Sequence, residues 1–183
     1  MKILNKEAQK EALNLARKTL ESRLCGQTLP QYQPSSPLLK KPFGAFVTLK
    51  KNGELRGCIG AFETHKPLYQ VIEEMAIAAA TEDPRFPKVL AEELKDIKIE
   101  ISIMTQQKKI NDWRKIKLGK HGVVIEAGNR HGVFLPQVAL ETGWTLEEFL
   151  SELCLRKAGL PPDAYKYSNV NLYVFEAQII EEE

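Results

Sequence analysis

The sequence predicts an α+β fold in which helices pack against a largely antiparallel sheet. Periodic segments follow one another in the order helix, hairpin, helix, strand, hairpin, helix, strand. The regular strand–helix–strand alternation that builds parallel sheets is absent. The chain has 183 residues, 43% of them hydrophobic, which is enough for one domain with a proper core. We therefore expect residues 1–183 to form a single domain.

Helices are predicted where apolar residues recur every three or four positions. The pattern marks helices at about residues 5–25, 67–80, 137–142 and 145–158. Thr145 is expected to cap the last of these through its hydroxyl. Residues 29–42 contain four prolines and few periodic apolar positions. That segment is therefore predicted to be a surface loop.

Strands are predicted where short apolar runs alternate with polar residues or flank a turn. The dipeptide Asn52-Gly53 suits a two-residue hairpin turn, which needs a positive φ at both positions. It joins a strand at residues 45–50 to a returning strand at 54–59. Further strands are predicted at 97–103, 123–125, 133–135 and 171–180.

Charge and composition argue against several classes of protein. The formal net charge is +2, which gives no electrostatic footprint for duplex DNA. No apolar run approaches the ~18–20 residues that span a bilayer, and the charged N-terminal segment lacks the apolar stretch of a secretory signal. The three widely spaced cysteines form neither a disulfide framework nor a zinc-ribbon pattern. A cytoplasmic protein that does not bind membranes is therefore expected.

No metal or cofactor site is predicted. The histidines His65, His121 and His131 show no spacing typical of metal ligands, although any of them could serve a cysteine as a base. We expect His65 and His131 to be exposed. The phosphate-binding motif GxxxxGK[ST], the dinucleotide motif GxGxxG and the nucleophile motif GxSxG are absent.

The best candidate site is the hexapeptide at residues 55–60, Leu-Arg-Gly-Cys-Ile-Gly, at the end of a hairpin strand. Cys58 is the candidate nucleophile, and Arg56 offers a planar guanidinium for a phosphate or carboxylate. A guanidinium nearby favours the reactive thiolate form of a cysteine. Backbone N–H groups facing a ligand would come from Gly57, Ile59 and Gly60. The alternative is structural, with a small core cysteine, a packing arginine and a glycine bulge.

Asp83 and Arg85 form a second candidate, in a turn that follows the second predicted helix. The two side chains could pair, or Arg85 could reach a ligand beside Arg56. The alternative is that Asp83 hydrogen-bonds its own turn, as Asp and Asn often do.

A basic cluster with an aromatic residue is a third candidate, for binding single-stranded RNA. Its members are Lys108, Lys109, Trp113, Arg114, Lys115 and Lys117. The alternative interpretation is a solvated charged face.

The hexapeptide resembles the signature of the AMMECR-one domain family, the A-like proteins of the AmmeMemoRadiSam system. Later blocks of the chain resemble the same family in order, and together they cover essentially the whole sequence. These blocks lie at residues 78–80, 83–86, 121–122, 134–139, 144, 149–150 and 157–160.

The resemblance implies an α+β fold with a larger and a smaller part, and it places the hexapeptide near a cleft between them. It also implies association with Memo-like and radical-SAM proteins. Two hypotheses follow. An enzyme or enzyme component would use Cys58 and Arg56 to modify a nucleotide, an RNA or a related small molecule. A non-catalytic adaptor would bind the same partners.

Overall fold

Two units make up the fold in a computed structural model that describes residues 3–28, 31–62 and 64–183. The first unit comprises Met1–Met104 and Gln178–Glu183, and the second comprises Thr105–Ala177. Both combine helices with antiparallel strands. The predicted α+β class is confirmed, as is the division into a larger and a smaller part. The cleft that the resemblance implies stays a prediction.

The first unit consists of two helices on a sheet. In chain order its main elements are helix α1 (Lys6–Leu24), strands β1 (Gly44–Lys51) and β2 (Glu54–Ala61), helix α2 (Leu68–Thr81) and strand β3 (Ile97–Met104). The Asn5 side chain caps α1 by accepting the Ala8 N–H at 2.9 Å. Helix α2 ends at Thr81, two residues before Asp83, where the following Pro84 disfavours continuation of the helix.

The core of the first unit lies between its helices and one face of its sheet. Strand β1 pairs antiparallel with β2 on one side and with β3 on the other. Alternate residues of β1 and β3 point into this core, as the period-two pattern predicted. Fully buried members include Ala8, Ala12, Leu20, Val47, Leu49, Ile72, Ile99 and Ile101.

The predicted β1–β2 hairpin turn is confirmed. Asn52 and Gly53 have φ values of 53° and 84°. The register shifts beyond the turn, as the pairs Lys50 with Leu55 and Leu49 with Gly57 show. Arg56 is therefore the extra residue of a β-bulge.

The second unit consists of antiparallel strands packed against short helices. Its elements are strands β4 (Lys108–Ile110), β5 (His121–Ala127) and β6 (Arg130–Phe134), helices α3 (Pro136–Thr142) and α4 (Leu146–Glu152), and strand β7 (Asn171–Glu181). Strand β7 pairs with β4 and β5, and β5 pairs with β6. The last residues of β7 belong to the first unit.

Three features differ from the sequence prediction. The helix expected at 145–158 is α-helical only to Glu152, and Leu153–Ala158 forms a π-helix that ends at Gly159 in the left-handed conformation. Strand β4 was not predicted, since its three residues are too short for a periodic pattern. A 3₁₀ helix at Pro37–Lys40 interrupts the segment predicted as a loop, whose residues 29 and 30 lie outside the described part of the chain.

Candidate functional site

The hexapeptide occupies the edge strand β2. Among the strands of the described chain, β2 pairs with β1 alone. Gly57 faces α2, and Cys58 points to the opposite face of the sheet, as alternation along a strand requires. The thiol therefore lies outside the apolar core of this unit. Its side chain is half-buried.

Asp83 and Arg85 occupy the hydrogen-bonding positions beside Cys58 that a further strand would fill. The Asp83 carboxylate accepts the Cys58 N–H at 2.8 Å, and Arg85 Nη2 donates to the Cys58 carbonyl at 3.3 Å. Asp83 also accepts two hydrogen bonds from the Arg85 guanidinium, at 2.9 and 2.7 Å, and the Arg85 N–H at 3.1 Å. The predicted pairing and the predicted Asx turn are thus both confirmed.

The two side chains of this pair differ in exposure. Hydrogen bonds from Arg85 hold the pKa of the Asp83 carboxyl well below its usual range, although burial acts in the opposite direction. The Asp83 side chain is 2% exposed, whereas that of Arg85 is 55% exposed. The Arg85 guanidinium also lies 5.5 Å from the centre of the Phe86 ring. Arg85 therefore presents a solvent-accessible guanidinium next to the backbone of Cys58, with its charge balanced by Asp83.

Four of the five N–H donors of the Arg56 guanidinium are bonded within the first unit. Its guanidinium donates to both carboxylate oxygens of Glu93, at 3.1 and 2.8 Å, and to the carbonyls of Pro87 and Lys88, at 2.8 and 3.3 Å. Hydrogen bonds from Arg56, with a further one from Lys51, lower the pKa of Glu93 to about 2. In this state the guanidinium secures the segment that precedes β3. Anion binding by Arg56 stays a prediction.

Both glycines of the hexapeptide allow a close approach. A Cβ on Gly57 would lie 2.1 Å from the Ala79 carbonyl oxygen of α2. A Cβ on Gly60 would lie 2.2 Å from the Phe46 ring, which covers that glycine from β1. Any side chain at either position would force backbone or ring displacement. Gly57 therefore sets how closely α2 approaches β2, and Gly60 sets how closely Phe46 lies over the face that carries Cys58.

The Cys58 thiol has a hydroxyl neighbour. Cys58 Sγ lies 3.2 Å from Thr48 Oγ1, and either atom can donate. The register places Thr48 opposite both Cys58 and Glu100, whose carboxylate binds Lys50 at 2.7 Å. Cys58 and Thr48 form a non-hydrogen-bonded pair of the antiparallel ladder, since the Cys58 backbone bonds Asp83 and Arg85 instead. The side chains of such a pair lie close together. The sheet thus presents a thiol, a hydroxyl and an ion pair on one face.

The other predicted site residues lie elsewhere in the chain. His65 and His131 are exposed, as predicted. His121 is half-buried, its Nδ1 accepts the Lys117 N–H at 3.2 Å, and burial lowers its pKa. Cys25 is exposed just after α1, whereas Cys154 is buried in the π-helix.

A search of the described residues finds no group of three or more His, Cys, Asp or Glu that could hold a metal ion. None of the helices in the described ranges is both long enough and apolar enough to cross a membrane.

Sequence reasoning missed two residues of the site. Glu93, the partner of Arg56, lies in a 3₁₀ helix at Ala91–Asp96 that shows no distinctive pattern. Thr48 is the second. A regular hairpin that turns at Asn52-Gly53 would pair Thr48 with Gly57, and only the bulge pairs it with Cys58. The Arg-Gly sequence at positions 56 and 57 was the available signal for the bulge.

Fold and site together define a class: an α+β protein with a cysteine-containing hexapeptide held on a sheet edge. The AMMECR1 family profile matches residues 13–180, and the chain belongs to the AMMECR1 family.

Its relatives are similar over nearly their full lengths. Protein MK0488 of Methanopyrus kandleri is 46% identical over 93% of this chain and 86% of its own length. Protein MJ0810 of Methanocaldococcus jannaschii is 44% identical over 100% of this chain and 94% of its own. A solved structure is also similar, the crystal structure of the uncharacterized protein PH0010 from Pyrococcus horikoshii. The two chains are 39% identical in sequence, their structures match with a TM-score of 0.87, and the match covers 100% of this chain and 95% of PH0010.

Proposed function

We propose that the chain is an enzyme, or a component of one, that uses Cys58 as a nucleophile or covalent carrier on an anionic substrate. The observation that carries the proposal is the position of a half-buried thiol beside the exposed guanidinium of Arg85, because Asp83 and Arg85 both bond the backbone of Cys58. A thiolate beside a guanidinium is the arrangement that activates cysteines in proteins. Thr48 supplies a hydroxyl at hydrogen-bonding distance from the sulfur.

In this proposal Arg85 binds the substrate anion. Arg56 has a structural role, because it binds Glu93 and the carbonyls of Pro87 and Lys88. Arg85 Nη1 takes no part in the hydrogen bonds that Arg85 makes to Asp83 and Cys58, so donor capacity remains for a phosphate or carboxylate. Arg56 is less accessible, because its side chain is 13% exposed and four of its N–H groups already bind Glu93 and two carbonyls.

The substrate class and the partners in this proposal rest on the family resemblance. We propose a nucleotide, an RNA or a related small molecule as substrate, and Memo-like and radical-SAM proteins as partners. A covalent carrier would suit such a system, because it would pass an intermediate from one partner to the next without releasing it into water.

Reconstitution with the two partner proteins tests the proposal. Cys58→Ser should abolish the partner-dependent modification, and mass spectrometry of the wild-type chain should find a covalent adduct on Cys58. Cys25→Ser is the matched control, because Cys25 is an exposed cysteine of the same unit. Full modification by the Cys58→Ser variant would overturn the proposal.

A non-catalytic adaptor is the second candidate. It is favoured by the structural contacts of the hexapeptide, since Arg56, Gly57 and Gly60 are all engaged within the first unit. An adaptor would bind its partners equally well with serine at position 58. It would lose them on Arg85→Glu, because that substitution reverses the exposed charge beside the sheet edge. Affinity measurements on these two variants separate the hypotheses.

A further inference from the structure

A small hollow in the second unit combines lysines, aromatic rings and amide side chains. Its volume is about 290 Å³. Strand β4 and the residues that follow it line one part, and residues 165–172 line the other. Its lining includes Lys109, Asn111, Trp113, Lys166, Tyr167 and Ser168. No carboxylate side chain is among the described residues that line it.

The aromatic rings of the hollow are arranged around Lys166. Trp113 meets Tyr165 edge to face, with ring centroids 5.3 Å apart. The Lys166 ammonium lies 5.9 Å from the Trp113 ring centre and 5.2 Å from that of Tyr165. Tyr167, the next residue, is 44% exposed, so its ring is available for stacking.

Positive charge surrounds the same rings, although the whole chain carries a net charge of only +2. Arg114 lies 5.1 Å from the Trp113 ring centre on the neighbouring surface. Two carboxylates close to Trp113 are already paired, Asp112 with Arg114 at 3.3 Å and Glu147 with Lys166 at 3.7 Å. The flanking cations Lys108, Lys115 and Lys117 are exposed.

We propose that this hollow binds one nucleotide unit of a single-stranded nucleic acid. Lys109 and Lys166 take the phosphate, a base stacks on Tyr167, and Asn111 and Ser168 hydrogen-bond the sugar or the base edge. Single-strand binding combines cations that follow the backbone with aromatic rings that stack bases. A duplex offers no unstacked base, so it lacks this second contact. The proposal rests on the second unit alone and does not depend on Cys58.

Fluorescence anisotropy with a labelled twelve-nucleotide single strand, as RNA and as the matched DNA, tests the proposal on the full chain. The double variant Lys109→Glu, Lys166→Glu should weaken binding by about tenfold or more and reduce the salt-dependence slope by about 1.4, which corresponds to two phosphate contacts. Lys18→Glu is the control for charge reversal outside the hollow, because Lys18 is an exposed lysine on α1 of the first unit. Melting curves show whether each variant remains folded.

Two tyrosine variants separate stacking from hydrogen bonding. Tyr167→Ala should weaken binding by about tenfold. Tyr167→Phe should bind like the wild type, because it keeps the ring and loses only the hydrogen bond to Asp163 at 2.8 Å. Binding of either oligonucleotide with this pattern supports the proposal. The proposal fails if neither oligonucleotide binds, if a hairpin duplex competes as well as the single strand, or if Lys18→Glu weakens binding as much as the double variant.

Discussion

The Asp83 carboxylate accepts the backbone N–H of Cys58 at 2.8 Å and is itself 2% exposed. A buried carboxylate thus occupies the hydrogen-bonding position of a missing neighbouring strand, and Arg85 compensates its charge. The arrangement closes the sheet edge at Cys58, since an unpaired edge strand would expose its backbone groups. It also leaves the Cys58 side chain on the face away from α2. The position of the thiol therefore depends on a charge pair twenty-five residues further along the chain.

Asp83→Asn should destabilise the first unit. The amide keeps an acceptor for Cys58 but loses the ion pair with Arg85, and we expect a loss of about 2 kcal/mol in the free energy of unfolding. The pKa of Asp83 is lowered in the folded state, so its contribution is complete above the unfolded-state pKa and is lost as the pH falls through the folded-state value. Urea unfolding should show a constant difference from the wild type above about pH 5 that shrinks below about pH 4. A pH-independent difference would contradict this.

Arg56→Lys should destabilise the unit although it keeps the charge. Lysine cannot bind both Glu93 oxygens and two carbonyls at once, and we expect a loss on the order of 2 kcal/mol. The pKa of Glu93 is lowered from 4.5 to about 2, so the contribution of Glu93 to stability should disappear as the pH falls through that interval. Lys66→Gln is the control, because the exposed Lys66–Glu74 pair should contribute less than about 1 kcal/mol. Equal effects of the two substitutions would count against a structural role for Arg56.

Gly57→Ala should be poorly tolerated. Its methyl group would lie 2.1 Å from the Ala79 carbonyl oxygen, so α2 or β2 must shift. We expect a loss of about 3 kcal/mol in chemical denaturation. Leu55→Ala, at a position of the same strand that is 44% exposed, should change stability little. A neutral Gly57→Ala variant would show that the close approach between β2 and α2 is wrong.

Cys154 should be unreactive in the folded protein. It is buried in the π-helix, and burial raises the pKa of its thiol. Alkylation at neutral pH should be at least about a hundredfold slower than at the exposed Cys25, because it requires opening of the second unit. Denaturant should remove the difference. Comparable native-state rates at the two cysteines would contradict the described packing of the π-helix.

Regular elements could be predicted from the sequence because their signals are local. The Asn52-Gly53 turn, the alternation along β3 and the periodicity of α1 each report a backbone geometry directly. The bulge at Arg56 is different, because it shifts the pairing of Thr48 from Gly57 to Cys58. A one-residue shift exchanges the faces of a strand. The residue opposite Cys58 could therefore not be predicted from the position of the turn alone.

Long-range partners were also beyond prediction. Arg56 was predicted either to offer its guanidinium to an anion or to be a packing residue, and the structure pairs it with Glu93, thirty-seven residues away. Nothing in the local pattern around Glu93 distinguishes it from other acidic residues on short helices. The helix at 145–158 was predicted from its apolar face, but such a face does not distinguish an α-helix from a π-helix over one turn.

The most direct test of the proposed function compares alkylation of Cys58 by iodoacetate, an anion, and by iodoacetamide, a neutral reagent of similar size. Mass spectrometry gives the rates, with Cys25 as the exposed reference. If Arg85 makes Cys58 an anion-binding thiol site, the iodoacetate-to-iodoacetamide ratio should be several-fold higher at Cys58 than at Cys25, by roughly the attraction that one nearby charge supplies. Arg85→Gln should remove that preference. Equal ratios at the two cysteines, or a Cys58 that reacts only after unfolding, would contradict the account.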